Sequence, residues 1–138
     1  MKNLDMLKRQ HGEMLTLIKI IETAAQTSPE DKAEEIAYSM NALSGKMKMH
    51  LLNEDQFLYP SLAKNEKDII RTTAQQFNQE MGGLAAEFTL FVQKYNIPSK
   101  IIAGKSVLAA ESRIIFQMIK ERIAREDDKL YPLVEDNA

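Results

Sequence analysis

The segment Glu54-Asp55-Gln56-Phe57-Leu58-Tyr59-Pro60 recurs as Glu126-Asp127-Asp128-Lys129-Leu130-Tyr131-Pro132. The shared pattern, E-D-x-x-L-Y-P, returns after 72 residues in a chain of 138, so the chain reads as two copies of one unit. Four residues before the glutamate stands His50 in the first copy and Arg122 in the second. That contrast sets a metal-ligand type against a fixed cation at matching places.

The unit is helical. Hairpin signals of the Asn-Gly or Asp-Gly type are absent, and no stretch alternates with period two. Apolar and seam residues step instead by three and four: Leu4, Leu7, His11, Met14, Ile18, Ile21, Ala25; Ile36, Met40, Leu43, Met47, His50, Glu54, Phe57; Ile70, Ala74, Phe77, Met81, Leu84, Phe88, Phe91. A fourth set runs through Leu108, Ile115, Ile119, Arg122, Glu126 and Lys129 or Leu130, with Glu111 or Ser112 between the first two. Each set is one stripe of an amphipathic helix.

Helices are predicted near 3–27, 29–63, 66–95 and 100–134. Ser28 should cap the second, with Pro29 at its first position, and Asn65 should cap the third. Asn96-Ile97-Pro98 breaks the third from the fourth. Pro60 and Pro132 should kink or end their helices. Gly82-Gly83 suits close packing or a bend, and Tyr59 and Tyr131 read as amphipathic caps at the bundle end. Short connections imply an all-α, up-down-up-down four-helix bundle. His11-Gly12-Glu13-Met14 aligns with Met81-Gly82-Gly83-Leu84 in the third helix, which extends the repeat to helix pairs related by a pseudo-twofold.

Composition narrows the function. Residues 1–138 suit one domain, of a length that hides roughly two-thirds of its unfolded surface. Eighteen basic against 20 acidic residues, net −2, argue against nucleic acid. No apolar run is long enough for a membrane span, and the N-terminus lacks a signal-type core. The absence of cysteine removes thiolate ligands and thiol chemistry and is compatible with the cytoplasm. No Ser-His-Asp constellation marks an enzyme.

Against this background, His11, His50, Glu54, Arg122 and Glu126 are anomalous, because they occupy seam positions. Buried ionised groups cost several kcal/mol each unless paired or bound to metal. His50 and Glu54, four apart, project from one helix face and can share one ion. His and Glu on facing helices of a bundle are a known way to build a metal site.

The pattern His50-x-x-x-Glu54 followed by Leu58-Tyr59-Pro60, with the lone His11 in the first helix, resembles the hemerythrin-like (HHE cation-binding) domain family over nearly the whole chain. The resemblance implies a centre of two iron ions bridged by two carboxylates. Carried onto this chain, it makes His11, His50, Glu54 and Glu126 the surviving metal ligands, with Asp127 as the alternative carboxylate. Phe77, Met81 and Arg122 stand where the family's other histidines fall. All histidines of one iron are thus replaced, while those of the other remain.

Three readings stay open. A two-iron centre would bind oxygen. A degenerate centre would hold one ion, iron or else zinc or manganese, and would serve metal binding or the sensing of oxygen, nitric oxide or iron. With no metal, Arg122 would pair with Glu54 and Glu126 inside a helical module that serves structure or protein interaction, including homodimer formation.

Overall fold

The computed structural model describes residues 2–136. The elements are α1 (Lys2–Thr27), α2 (Ala33–Asn53), a π-helical turn π1 (Glu54–Leu58), α3 (Tyr59–Ala63), α4 (Asp68–Tyr95), α5 (Pro98–Ala103), α6 (Lys105–Arg125), a second π-helical turn π2 (Glu126–Leu130) and α7 (Tyr131–Asp136). No strand occurs among the described residues. The chain forms four long rods: α1, α2–π1–α3, α4 and α6–π2–α7.

Surface pairs record the direction of each rod. Lys8 reaches Glu135 at 2.6 Å and Lys120 reaches Glu22 at 2.7 Å, so α1 runs antiparallel to the last rod. Lys46 meets Glu13 at 2.8 Å and Asn41 donates to the Asn96 carbonyl at 2.9 Å, which orients α2 against α1 and α4. Lys94 meets Glu111 and Arg125 meets Glu80, both at 2.7 Å, setting α4 against α6. Exposed pairs of this kind contribute at most about 1 kcal/mol each. Burial holds the rods together, at about 1.5–3 kcal/mol per large apolar side chain.

That burial falls into two apolar clusters. One contains Met14, Ile18, Ile36, Met47, Met81, Phe88, Phe116 and Ile123. The other contains Leu4, Leu7, Leu58, Leu62, Ile70, Phe77, Leu130 and Tyr131. Along three rods a polar residue separates the clusters: His11 between Leu7 and Met14, His50 and Glu54 between Met47 and Leu58, Arg122 and Glu126 before Leu130. On α4 the same level passes from Phe77 to Met81 without a polar group, so the fourth wall of this layer is apolar.

The two π turns were not anticipated from the sequence, and they change which residues face inward. The backbone N–H of Tyr59 bonds the Glu54 carbonyl, and that of Tyr131 bonds the Glu126 carbonyl. An i→i+5 bond makes residues five apart share a face. Phe57, expected in the seam, is therefore 42% exposed, while Leu58 takes its place in the core. Lys129 is likewise outside and Leu130 inside. Pro60 sits in the first turn of α3, where its missing N–H costs nothing, so the rod continues to Ala63 instead of ending at the proline.

Other boundaries also differ from expectation. Ser28 does not cap a helix at 29; its hydroxyl donates to Asp31 at 2.8 Å, and α2 begins at Ala33. Asn65 accepts from the Lys67 amide at 2.9 Å in a turn, and α4 begins at Asp68. The fourth predicted helix is interrupted at Gly104, where a Cβ would lie 2.9 Å from the Tyr95 ring. Gly82 and Gly83 are not packing devices: a Cβ at either would meet nothing within 4 Å. Met118, on the fourth helix, is 36% exposed, whereas Met14, Met40, Met47 and Met81 are core.

Candidate metal centre

The polar layer brings His11 from α1, His50 from α2, and Glu54 and Glu126 from the two π turns to one point. One ligand atom from each lies within 4.8 Å of the others, and all four residues are buried. The two imidazole Nε2 atoms are 3.1 Å apart. Glu126 Oε1 lies 2.8 Å from His11 Nε2 and 3.4 Å from His50 Nε2, and Glu54 Oε2 lies 3.3 Å from His50 Nε2.

The outer ring nitrogens explain why the inner ones converge. His11 Nδ1 is 2.9 Å from Asp127 Oδ1, and His50 Nδ1 is 2.9 Å from Gln10 Oε1. Both partners are oxygens, so each Nδ1 is the donor and each ring turns its Nε2 to the centre. A carboxylate or carbonyl behind each imidazole is the usual support of a metal-bound histidine. Asp127, the alternative carboxylate in the sequence, sits behind His11, while Glu126 faces the centre.

Arg122 occupies the other side of the layer and is 6% exposed. Its Nε donates to Glu126 Oε2 at 2.9 Å and its Nη2 donates to the Tyr59 hydroxyl at 3.1 Å. Nη1 has no hydrogen-bond partner and is 3.8 Å from Glu80 Oε2. The guanidinium carbon stacks 4.7 Å from the centroid of the Phe77 ring, and that of Arg125 lies 4.8 Å from the same ring. Phe77 thus carries a cation on its face. Arg122 pairs with Glu126; no hydrogen bond joins it to Glu54.

The tyrosines are not end caps. Tyr131 is fully buried, and its hydroxyl donates to Glu54 Oε2 at 2.9 Å while lying 3.2 Å from His11 Nε2 and 3.3 Å from Glu126 Oε1. Its ring stacks on His11 with centroids 5.3 Å apart. Tyr131 and Gln10 were missed as site residues. A signal existed for Tyr131, since both copies of the repeat carry a tyrosine five residues after the glutamate. Only a π turn makes that spacing face inward.

Protonation follows from this crowding. Burial alone would lower His50, but hydrogen bonds and charge from Glu126 and Glu54 outweigh it and carry it up to about 9. Burial pulls Glu126 upward, yet His11, His50 and Arg122 hold it well below the usual carboxylate range. Glu54 is raised, first by burial and then by the Glu126 charge. Burial, with the two carboxylates, keeps the Tyr131 phenol protonated far above its ordinary value.

The donor set fits a divalent metal ion. Two imidazoles and two carboxylates converge with their outer atoms already supported, and Glu54 Oε1 is buried with no hydrogen-bond partner. Beside the centre lies a cavity of about 10 Å³, lined by both histidines, Met14, Met47, Met81, Leu84, Ile119, Arg122, Ile123 and Glu126. It has room for about one water-sized molecule.

No helix among the described residues is long and apolar enough to cross a membrane. Neither the curated proteins nor the solved structures contain a match to the chain. The family model of the hemerythrin HHE cation binding domain matches residues 2–134. With that match over nearly its whole length and a buried His/Glu cluster able to hold a metal, the chain belongs to the hemerythrin HHE cation-binding domain family.

Proposed function

We propose that this protein carries a one-metal centre, bound by His11, His50, Glu54 and Glu126, in which Arg122 replaces a second ion. The observation that carries the reading is the buried hydrogen bond from Arg122 Nε to Glu126 Oε2 at 2.9 Å. One oxygen of Glu126 thus faces the histidines and the other faces a permanent positive charge. In a two-metal centre a bridging carboxylate divides its oxygens between two cations; here the guanidinium takes one of those places. Phe77 and Met81 offer no hard donor on that side.

Iron is the proposed ion, since two imidazoles with carboxylates suit Fe(II), and zinc or manganese would accept the same donors. A bound iron ion would supply redox chemistry and affinity for small diatomic molecules. The chain's own residues then do the rest. Asp127 and Gln10 hold the imidazoles in their productive tautomer, Arg122 balances carboxylate charge, and the methionine-lined cavity excludes all but a very small ligand. These features support a sensing role for oxygen, nitric oxide or iron. The absence of cysteine is compatible with a cytoplasmic setting.

The test is metal analysis of protein purified after growth with iron. The reading expects about one ion per chain, lost in His50→Ala. Two ions per chain would overturn the role of Arg122. No ion under any loading condition would favour the metal-free helical module, which has its own support: Arg122 already neutralises Glu126, and Tyr131 already donates to Glu54.

A further inference from the structure

The geometry points to the Tyr131 oxygen as a fifth ligand of the metal, beside His11, His50, Glu54 and Glu126. This inference rests on the one-metal reading and adds to it a donor outside the family's histidine and carboxylate pattern in this chain.

The distances carry it. Tyr131 Oη lies 2.9 Å from Glu54 Oε2, 3.2 Å from His11 Nε2, 3.3 Å from Glu126 Oε1 and 3.4 Å from His50 Nε2. Donor atoms that share one ion at roughly 2.0–2.2 Å sit about 3 Å from each other. The phenol oxygen is thus as close to one donor atom of each residue as the His11, His50 and Glu126 atoms are to one another, at 2.8–3.4 Å. An ion placed among those four is within reach of it as well.

A purely structural hydroxyl would need one partner. This one has a single proton, yet two imidazole Nε2 atoms and two carboxylate oxygens lie within 3.4 Å of it. A metal ion can accept a lone pair from all of these atoms and from the phenol oxygen at once; the phenol proton, or a proton on His50, serves only single contacts. The ring is also held in place. It is fully buried and stacks 13° from the plane of His11, so the oxygen cannot swing away without opening the core.

The two copies of the repeat sharpen the assignment. Tyr59 occupies the equivalent place after Glu54, but its hydroxyl accepts from Arg122 Nη2 at 3.1 Å. Each tyrosine thus attends one side of the layer: Tyr59 the guanidinium, Tyr131 the histidines. When the ion binds, the bond from Tyr131 oxygen to metal replaces the O–H bond, and the proton leaves to solvent. No change in metal oxidation state is involved.

The experiment uses the full chain loaded with ferric iron. Tyrosinate bound to Fe(III) gives a visible charge-transfer band, and resonance Raman excitation within it enhances tyrosine ring modes. Both should appear in the wild type and be absent from Tyr131→Phe in the fraction of chains that hold iron, as counted by metal analysis of the same sample. A second variant leaves Tyr131 untouched. The chain has four tyrosines, so Tyr38→Phe/Tyr59→Phe/Tyr95→Phe retains Tyr131 alone and should keep the band. Iron bound at about one per chain without tyrosine modes would overturn the fifth ligand and leave the one-metal centre standing. The band surviving in Tyr131→Phe, or vanishing in the triple variant with iron still bound, would also overturn it. A wild type that binds no iron would overturn the fifth ligand of an iron centre, and one that binds no iron, zinc or manganese would overturn both.

Discussion

The Nε2 atoms of His11 and His50 face each other at 3.1 Å across the middle of the helical layer, each backed by an oxygen on its Nδ1. Two neutral imidazoles so arranged present lone pair to lone pair. The centre therefore needs a cation, and a proton or a metal ion can provide it.

A proton there makes the metal-free protein pH-sensitive. His50 is raised from 6.5 to about 9 in the folded state, burial lowering it less than Glu126 and Glu54 raise it. The folded state then binds the proton more tightly than the unfolded one. The resulting stabilisation, of order 3 kcal/mol, is complete below pH 6.5 and is lost as pH rises through 9. Urea melts of metal-free protein should show a falling midpoint over that interval. Metal-loaded protein should lack the decline, because the ion has displaced the proton.

Removing Arg122 tests the fixed cation. In Arg122→Met the Glu126 carboxylate loses its 2.9 Å partner while remaining buried. The expected loss is about 3 kcal/mol, the usual cost of breaking a buried pair from one side. It is read from the shift of the chemical-denaturation midpoint of the metal-free protein.

Introducing two histidines should create a second site. Met81→His/Arg122→His places imidazoles on the side of Glu126 that Arg122 occupies, where Met81, Arg122 and Glu126 line one small cavity. Metal content should rise from about one to about two per chain with the helical circular-dichroism spectrum unchanged. One ion per chain, with the fold intact, would count against these positions.

The supports behind the imidazoles should matter almost as much as the ligands. Asp127→Asn and Gln10→Ala are each expected to weaken metal affinity about 10–100-fold, as losses of such hydrogen bonds commonly do. Competition titration against a chelator of known affinity measures this directly.

The glycines divide sharply. Gly104→Ala forces a Cβ to within 2.9 Å of the Tyr95 ring and should cost about 1–3 kcal/mol. Gly82→Ala meets nothing within 4 Å in the middle of α4 and should stabilise by up to about 1 kcal/mol. Thermal melts of the two variants should move in opposite directions.

The helical class was legible because a stripe of three-and-four spacing is a property of one helix at a time. Leu4 to Ala25 and Ile70 to Phe91 were each read from their own segment and are buried as a set. The polar seam residues were legible for the same reason: His11, His50, Glu54, Arg122 and Glu126 break their stripes where an apolar residue would be expected. The misreadings came where the period itself changed. A 3.6-residue period carried past Glu54 predicts Phe57 inside, and the π turn puts Phe57 outside and Leu58 in the core. Ser28 failed as a cap because its hydroxyl found Asp31 instead of a backbone amide.

By itself, the sequence determined the family, the helical class and the inventory of charged groups that had to be buried, since these depend on residue type and local spacing. Tertiary structure alone decided their partnerships. It put Arg122 on Glu126 and not on Glu54, set Asp127 behind His11, and delivered the Tyr131 hydroxyl to the centre. Each of those choices depends on the phase of one rod against another, and the added residue in each π turn resets that phase in a way no single segment encodes.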